Sequence, residues 1–301
     1  MGKIAFVFSG QGAQYPGMGQ SLCDVSAAAK AVFGLADAAR PGTSAQCFSG
    51  TAQELAITQN TQPCVYAVDL AAAKALEEAG VRPDFVAGFS LGEVAALAFA
   101  GAFTPEDGFA FVCKRAEAMQ RAAEENPGAM AAVLKLGNEQ VEALCAPFDR
   151  VWPVNYNCPG QLVVAGEPAQ LREFQAKVKE AGGRAAPLAV SGGFHSPLMA
   201  SAAEKLAGDL LRIGLGQPCF PVYANATAQP YGGDMRALLV RQVQSPVRWQ
   251  ETVEALAAQG VDTFYECGPG KTLCGLIKKT CKTAAVYPVQ DAETLGAALG
   301  G

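Results

Sequence analysis

Apolar residues fall into two kinds of pattern along this chain. Short unbroken blocks at 3–8, 85–87 and 263–266 have the length and β-branched or aromatic character of buried strands, and each runs into a glycine-containing turn. Between them, Ala/Leu-rich stretches repeat at helical spacing over 21–39, 64–79, 93–100, 105–125, 197–211, 235–243, 249–258 and 273–279. Gly80 marks the end of the helix at 64–79, and Gln62-Pro63 leads into it. Thr104-Pro105-Glu106-Asp107 supplies an N-cap, a proline at the first helical position and an acidic first turn. A further strand is expected at 220–224.

Between Asn126-Pro127-Gly128 and Ser191 the pattern changes. Strand 129–136, helix 138–147, strands 152–155 and 161–165 around Cys158-Pro159-Gly160, helix 167–181 and strand 184–190 follow one another in β-α-β-β-α-β order. That order matches a ferredoxin-like unit. The expected architecture is α/β: a large domain with a parallel sheet, α/β-hydrolase-like in its strand–turn–helix, over 1–126 and 192–301. A small inserted ferredoxin-like subdomain spans 127–191.

The chemistry gathers at Gly88-Phe89-Ser90-Leu91-Gly92, which lies between a strand and a helix. That context turns a G-x-S-x-G match into a nucleophile elbow, a strained turn that exposes the serine hydroxyl. Serine needs a base, and the chain contains a single histidine, His195, in the loop Gly192-Gly193-Phe194-His195-Ser196-Pro197 after a strand. A lone histidine is more often structural than catalytic, but a loop at a strand end is where catalytic side chains are commonly carried. Near the N-terminus, Gly10-Gln11-Gly12 follows the first strand; Tyr15 stands where a dinucleotide fingerprint needs its third glycine, so the loop is better used to bring N–H groups to a reacting centre. Gly268-Pro269-Gly270-Lys271-Thr272 resembles the end of a phosphate loop, but Tyr265 replaces the first glycine, which leaves a structural turn.

Composition narrows the class. A net charge of −5 argues against a general nucleic-acid binder. Half the residues are apolar and 17% charged, as in a compact folded protein. The ten cysteines contain no C-x-x-C, and Met1 to Phe8 runs straight into a strand without a signal-peptide pattern. Free thiols in a reducing cytoplasm, no metal and no membrane partner are therefore expected. The segment 85–103 is the nearest approach to a membrane span, but the elbow and Glu93 make it a buried strand–turn–helix.

Gly10-Gln11-Gly12, Gln62-Pro63, Gly88-x-Ser90-Leu91-Gly92-Glu93, Arg115, Asn155-x-Asn157-x-Pro159-Gly160-Gln161, Phe194-His195 and Gly268-Pro269-Gly270-Lys271 occur in one order along the chain. Together they resemble the malonyl-CoA:acyl carrier protein transacylases, from near residue 3 to near residue 290. The resemblance implies ping-pong transfer of a malonyl group from malonyl-CoA to Ser90, and then to the phosphopantetheine thiol of acyl carrier protein, in fatty acid biosynthesis and without a cofactor. A polyketide pathway stays open, as does the oligomeric state, with a monomer as the working expectation.

The resemblance also implies site roles. His195 is the base, held by the main-chain carbonyl of Gln242; the N–H groups of Gln11 and Leu91 form the oxyanion hole; Arg115 holds the malonyl carboxylate. Gln62, Met119, Asn157, Phe194 and Phe89 complete the substrate side. The family generally carries histidine at the position of Phe89, a departure that removes any polar contact made there. Phe194 resembles acyltransferases that choose malonyl over methylmalonyl. The family's carrier is acidic, so a basic face is expected around Arg184, near the exit toward His195, and Lys278, Lys279 and Lys282. Two other classes compete: an α/β-hydrolase, and a non-catalytic carrier-binding module.

Overall fold

In the computed structural model, which describes residues 2–190 and 192–300, the apolar blocks become the middle of one sheet. Strands β1 (Lys3–Phe8), β2 (Phe85–Gly88), β7 (Val222–Ala224), β8 (Gln229–Pro230), β9 (Val261–Cys267) and β10 (Ala285–Val289) assemble in the order β10-β9-β1-β2-β7-β8. All pairings are parallel except β7 with β8. Parallel strands are covered on both faces by helices, which is why their residues are apolar without alternation. Phe6, Val7, Phe8, Val86 and Ala87 are fully buried.

The second sheet contains β3 (Ala129–Leu134), β4 (Val151–Cys158), β5 (Gln161–Gly166) and β6 (Arg184–Pro187) in the antiparallel order β4-β5-β3-β6. Helices Asn138–Cys145 and Pro168–Glu180 pack on it around Val141, Leu171, Phe174 and Val178. This is the β-α-β-β-α-β arrangement expected of the insert. Its expected last residue, Ser191, lies outside the described residues, as do Met1 and Gly301 at the ends of the large domain. The final strand ends at Pro187, short of the expected 190.

Several helices differ from expectation for local reasons. The stretch 21–39 is two helices, Gln20–Val25 and Ala27–Ala39, because the Ser26 side chain accepts the Ala29 N–H and caps a new start. Pro63 lies inside the helix Thr58–Glu78 and does not open it. An interior proline costs roughly 3 kcal/mol, and here it is offset by burial of Gln62, Pro63, Cys64, Val65 and Tyr66 along that turn. The stretch 197–211 opens as a 3₁₀ turn, Pro197–Met199, before the helix Ala200–Leu210. At Thr104 the cap forms as expected, accepting from the Asp107 N–H at 3.0 Å and starting the helix Pro105–Glu125.

Candidate active site

The carboxyl ends of β1 and β2 meet at the elbow, where ligands of open α/β sheets bind. A Cβ on Gly92 would stand 2.3 Å from the Phe8 carbonyl oxygen, and one on Gly88 would stand 2.0 Å from the Gly92 carbonyl carbon. Both glycines are therefore fixed by close backbone approach, which lets the helix Gly92–Phe99 start directly over the sheet. Ser90 between them takes φ = 56°, a left-handed conformation that costs a side-chain-bearing residue about 1–2 kcal/mol.

Side chains from distant parts of the chain hold that strained residue. Asn225, just after β7, accepts the Ser90 N–H on Oδ1 at 2.7 Å and donates from Nδ2 to the Gly88 carbonyl at 2.6 Å. Gln242 donates from Nε2 to the Ser90 carbonyl at 2.7 Å. Both backbone polar groups of the nucleophile are thereby bonded to side chains.

His195, also left-handed at φ = 62° and 4% exposed, places Nε2 2.7 Å from Ser90 Oγ. Its Nδ1 faces two carbonyls, Gln242 at 3.1 Å and Ser245 at 3.2 Å. Carbonyls only accept, so the proton sits on Nδ1 and the Nε2 lone pair is directed at the serine. Burial and the nearby Arg115 charge push this histidine down to about 4, against the two carbonyls that favour its protonated form. It is neutral at pH 7.

Arg115, on Pro105–Glu125, is 1% exposed. Nη1 donates to Gln62 Oε1 at 2.7 Å; Nη2 donates to Gln242 Oε1 at 2.9 Å and to Ser90 Oγ at 3.1 Å. Burial lowers it to about 10, so it stays charged, supported by the field of Glu93. Among the described residues its Nε has no hydrogen-bond partner. A guanidinium is thus held beside the serine–histidine pair, inside the protein, which puts a buried positive charge next to the Ser90 hydroxyl.

The cleft in front of Ser90 has a volume of about 90 Å³ and is bordered by Gln11, Gln62, Phe89, Met119, Asn155, Phe194 and His195, among others. Gln11 donates its side-chain amide to Thr58 Oγ1 at 3.3 Å, and Leu91 is fully buried at the start of the elbow helix. Gln62 bridges Arg115 and Met119, donating from Nε2 to the Met119 sulfur at 3.6 Å. The Phe89 ring packs edge-on against Trp249 with centroids 5.6 Å apart, so the site's one departure from the family motif is absorbed by an apolar contact.

Residues 5–298 match the acyl transferase domain family. The malonyl CoA-acyl carrier protein transacylase of Bacillus subtilis is 41% identical over 310 residues, covering 99% of this chain and 97% of that protein. The chain belongs to the malonyl CoA-acyl carrier protein transacylase family. The Escherichia coli K12 member is 39% identical over 310 residues, covering 99% of both chains. The solved transacylase from Clostridium perfringens superposes with a TM-score of 0.96 at 38% identity, covering 99% of this chain and 96% of that one. A malonyl-transacylase solved with a type II PKS acyl-carrier protein gives 0.95 at 38% identity, covering 99% of both.

Of the residues expected in the transacylase site, Ser90, His195, Arg115, Gln62 and Gln242 form one hydrogen-bonded cluster, and Gln11, Met119, Phe89 and Phe194 border the cleft. Asn157 does not border it; its neighbour two positions back, Asn155, does. Strand β4 is irregular between Pro153 and Asn155 and between Tyr156 and Cys158, so its side chains do not keep a regular alternation there. Arg184 is also displaced from expectation. It pairs with Leu134 at one end of β6, whereas Leu188 and Val190, beyond the other end, border the cleft. Lys278 is engaged with the Ala284 carbonyl, and Lys279 reaches Gln161 at 3.4 Å.

Three participants were not anticipated: Asn225, Ser245 and the side chain of Gln242. Each lies far along the chain from Ser90, and none carries a local motif.

Proposed function

We propose that this acyltransferase moves a malonyl group from malonyl-CoA to the phosphopantetheine thiol of acyl carrier protein through a Ser90 acyl-enzyme. The observation that carries the reading is the buried Arg115 guanidinium 3.1 Å from Ser90 Oγ, which itself stands 2.7 Å from the lone basic nitrogen of the site. A neutral ester or thioester has no use for a buried cation there. An acyl group that ends in a carboxylate does.

In the first half-reaction His195 Nε2 takes the Ser90 proton as Oγ attacks the thioester carbonyl. The N–H groups of Gln11 and Leu91 receive the developing oxyanion. Among the described residues neither N–H has another protein acceptor, and such donors typically contribute 10²–10³ in rate. Collapse expels the CoA thiolate, which takes the proton from His195. In the second half-reaction His195 removes the proton of the carrier's thiol, the thiolate attacks the Ser90 ester, and Oγ leaves with that proton. Each half-reaction balances with serine, imidazole and thioester alone, so the proposal includes no cofactor.

Phe194, 6% exposed at the cleft, crowds an α-methyl substituent, so malonyl is the expected choice over methylmalonyl. We place Ser90 and His195 on the large domain (1–126 and 192–301), with the insert (127–191) supplying the opposite wall through Met130, Asn155, Leu188 and Val190. A cytoplasmic setting is supported by ten free cysteines and by the lack, among the described residues, of any helix long and apolar enough to cross a membrane. Fatty acid biosynthesis is the assignment we favour. Transfer to a fatty-acid carrier and to a polyketide carrier, compared side by side, separates the two pathways.

The deciding experiment is intact-mass spectrometry after mixing with malonyl-, methylmalonyl- and acetyl-CoA. A malonyl adduct is expected on the wild type and none on Ser90→Ala. An adduct that survives the substitution refutes the assignment.

A further inference from the structure

Glu93 is part of the elbow motif, yet the chemistry above does not use it. It lies in the first turn of the helix Gly92–Phe99, with its side chain completely buried. Oε2 accepts the Asn225 N–H at 2.7 Å, and Oε1 accepts the Tyr231 hydroxyl. Asn225 Oδ1 in turn stands 3.5 Å from Gln242 Nε2, and Gln242 Oε1 accepts from Arg115. A buried carboxyl group and a buried guanidinium thus share one hydrogen-bonded chain without a direct ion pair between them among the described residues. The charged and titratable groups acting on Glu93 are Arg115, from Pro105–Glu125, and Tyr231, from the segment after β8. Asn225 and Gln242, which complete its surroundings, are neutral. Across Ser90, His195 is held neutral.

With Glu93 ionised, the resting site balances one buried cation with one buried anion. A substrate carboxylate that pairs with Arg115 adds a second anion and no cation. Two carboxylates that share one counter-charge do not both stay ionised cheaply in a dry site. We propose that Glu93 is the resident counter-charge of Arg115, and that it takes up a proton from solvent when the carboxylate of an acyl group pairs with that arginine. The inference rests on Arg115 being the carboxylate receptor. Glu93 acts on the substrate through Arg115 and is a positioning residue.

The balance of forces on Glu93 is suited to this. Burial pushes its carboxyl up to about 7, opposed by the bonds from Tyr231 and Asn225 and by the Arg115 charge. Neutralising Arg115 removes part of that opposition and drives the group toward its protonated form. Linkage makes the effect reciprocal: protonated Glu93 strengthens carboxylate binding by the same factor that the carboxylate raises proton affinity. Malonyl loading should consequently be favoured below pH 7 relative to loading of a neutral acyl group.

The test compares kcat/KM for acyl-enzyme formation from malonyl-CoA and acetyl-CoA between pH 6 and 9. Taking the ratio cancels the shared CoA phosphates and the titration of His195 in the free enzyme. In the wild type the malonyl/acetyl ratio is expected to fall about tenfold or more across this range, since a coupling of one pKa unit is tenfold in affinity. In Glu93→Gln the ratio is expected to be flat. Tyr231→Phe, which removes a bond to the carboxylate, is expected to move the midpoint to higher pH. A flat wild-type ratio, or an unchanged slope in Glu93→Gln, overturns the proposal while leaving malonyl transfer intact. Failure of the wild type to load malonyl at all removes the underlying reading as well.

Should Glu93→Gln not fold, calorimetry on Ser90→Ala in two buffers of different ionisation enthalpy reads proton uptake directly. About half a proton or more is expected per malonyl-CoA bound at pH 7.5 in excess of acetyl-CoA. Equal uptake for the two ligands overturns the proposal.

Discussion

Replacing Arg115 by alanine separates substrate reading from structural support. The guanidinium is 1% exposed and donates to Gln62, Gln242 and Ser90 Oγ. Hydrogen bonds to a charged group contribute about 1.5–3 kcal/mol each, so losing a two-pronged contact to the malonyl carboxylate costs at least about 2.7 kcal/mol, or a hundredfold in kcat/KM. The same substitution leaves the Oε1 atoms of Gln62 and Gln242 without their donor, at roughly 1–3 kcal/mol apiece in stability. That second cost is paid in folding stability and does not distinguish one acyl group from another. The assay is therefore the ratio of initial acylation rates from malonyl-CoA and acetyl-CoA at fixed pH, read by intact mass. The ratio is expected to drop at least about a hundredfold, with acetyl loading unchanged or faster, because Arg115 also depresses the basicity of His195. Arg115→Lys keeps the charge but not the planar fork, and should recover only a minor part of the loss. Equal falls for malonyl and acetyl would falsify the carboxylate-receptor role and leave Arg115 a structural residue.

The other expectations concern the base and the elbow. With His195 at about 4 in the fold and about 6.5 unfolded, acetyl loading should keep its rate down to near pH 5; an acid limb with its midpoint near 6.5 contradicts the burial argument. For stability the sign follows from the same shift. Between pH 6.5 and 4 the unfolded chain binds the extra proton, so the contribution of neutral His195 is fully present above 6.5 and lost as pH falls toward 4, on the order of 3 kcal/mol. Chemical denaturation of the wild type and of His195→Ala across that range measures it, and parallel curves refute it. Asn225→Ala removes the partners of Ser90 N–H and the Gly88 carbonyl. It should cost about 2–4 kcal/mol of stability and slow acylation from malonyl- and acetyl-CoA alike, and a selective loss with one acyl group would contradict its role as a clamp on the turn.

What could be read from the sequence was local. The elbow was legible because its glycines, serine, strand and helix all lie between Phe85 and Phe99, and the steric reason for each glycine is met by neighbours in that same span or at the end of β1. The Thr104 cap and the β-α-β-β-α-β insert were legible for the same reason. The break at Ser26 was hidden because the residues on both sides continue one apolar periodicity, and a cap is visible only once the backbone turns. Helices Thr43–Ser49 and Ala52–Ala56 were missed because they are shorter than two turns, and β10 with the helix Ala292–Ala298 because the strand is five residues long and contains Pro288 and the helix has only seven residues. The clamp from Asn225 reaches Ser90 across 135 positions and carries no pattern of its own. Contacts of that span are set by topology, here by β7 lying beside β2.

The histidine illustrates how the parts of the site depend on one another. Two main-chain carbonyls orient it, and these fix the tautomer without adding the full negative charge that a carboxylate would place behind the ring. An imidazole left so weakly supported, buried and beside a cation is a feeble base at rest. Thioester exchange tolerates this better than amide cleavage does, because a thiolate departs with little acid assistance and thiol pKa values lie near 8.5. The cation that weakens the base is also the one that a malonyl carboxylate would neutralise. Pairing at Arg115 then lifts part of the depression on His195 at the moment the thioester reaches Ser90, whereas an acetyl group leaves it in place. On the proposed role of Arg115, selection for a carboxylated acyl group would act twice through one residue, in binding and in the strength of the base. A carboxylate orienting the ring could not discriminate in that way, since its charge would act equally on every substrate.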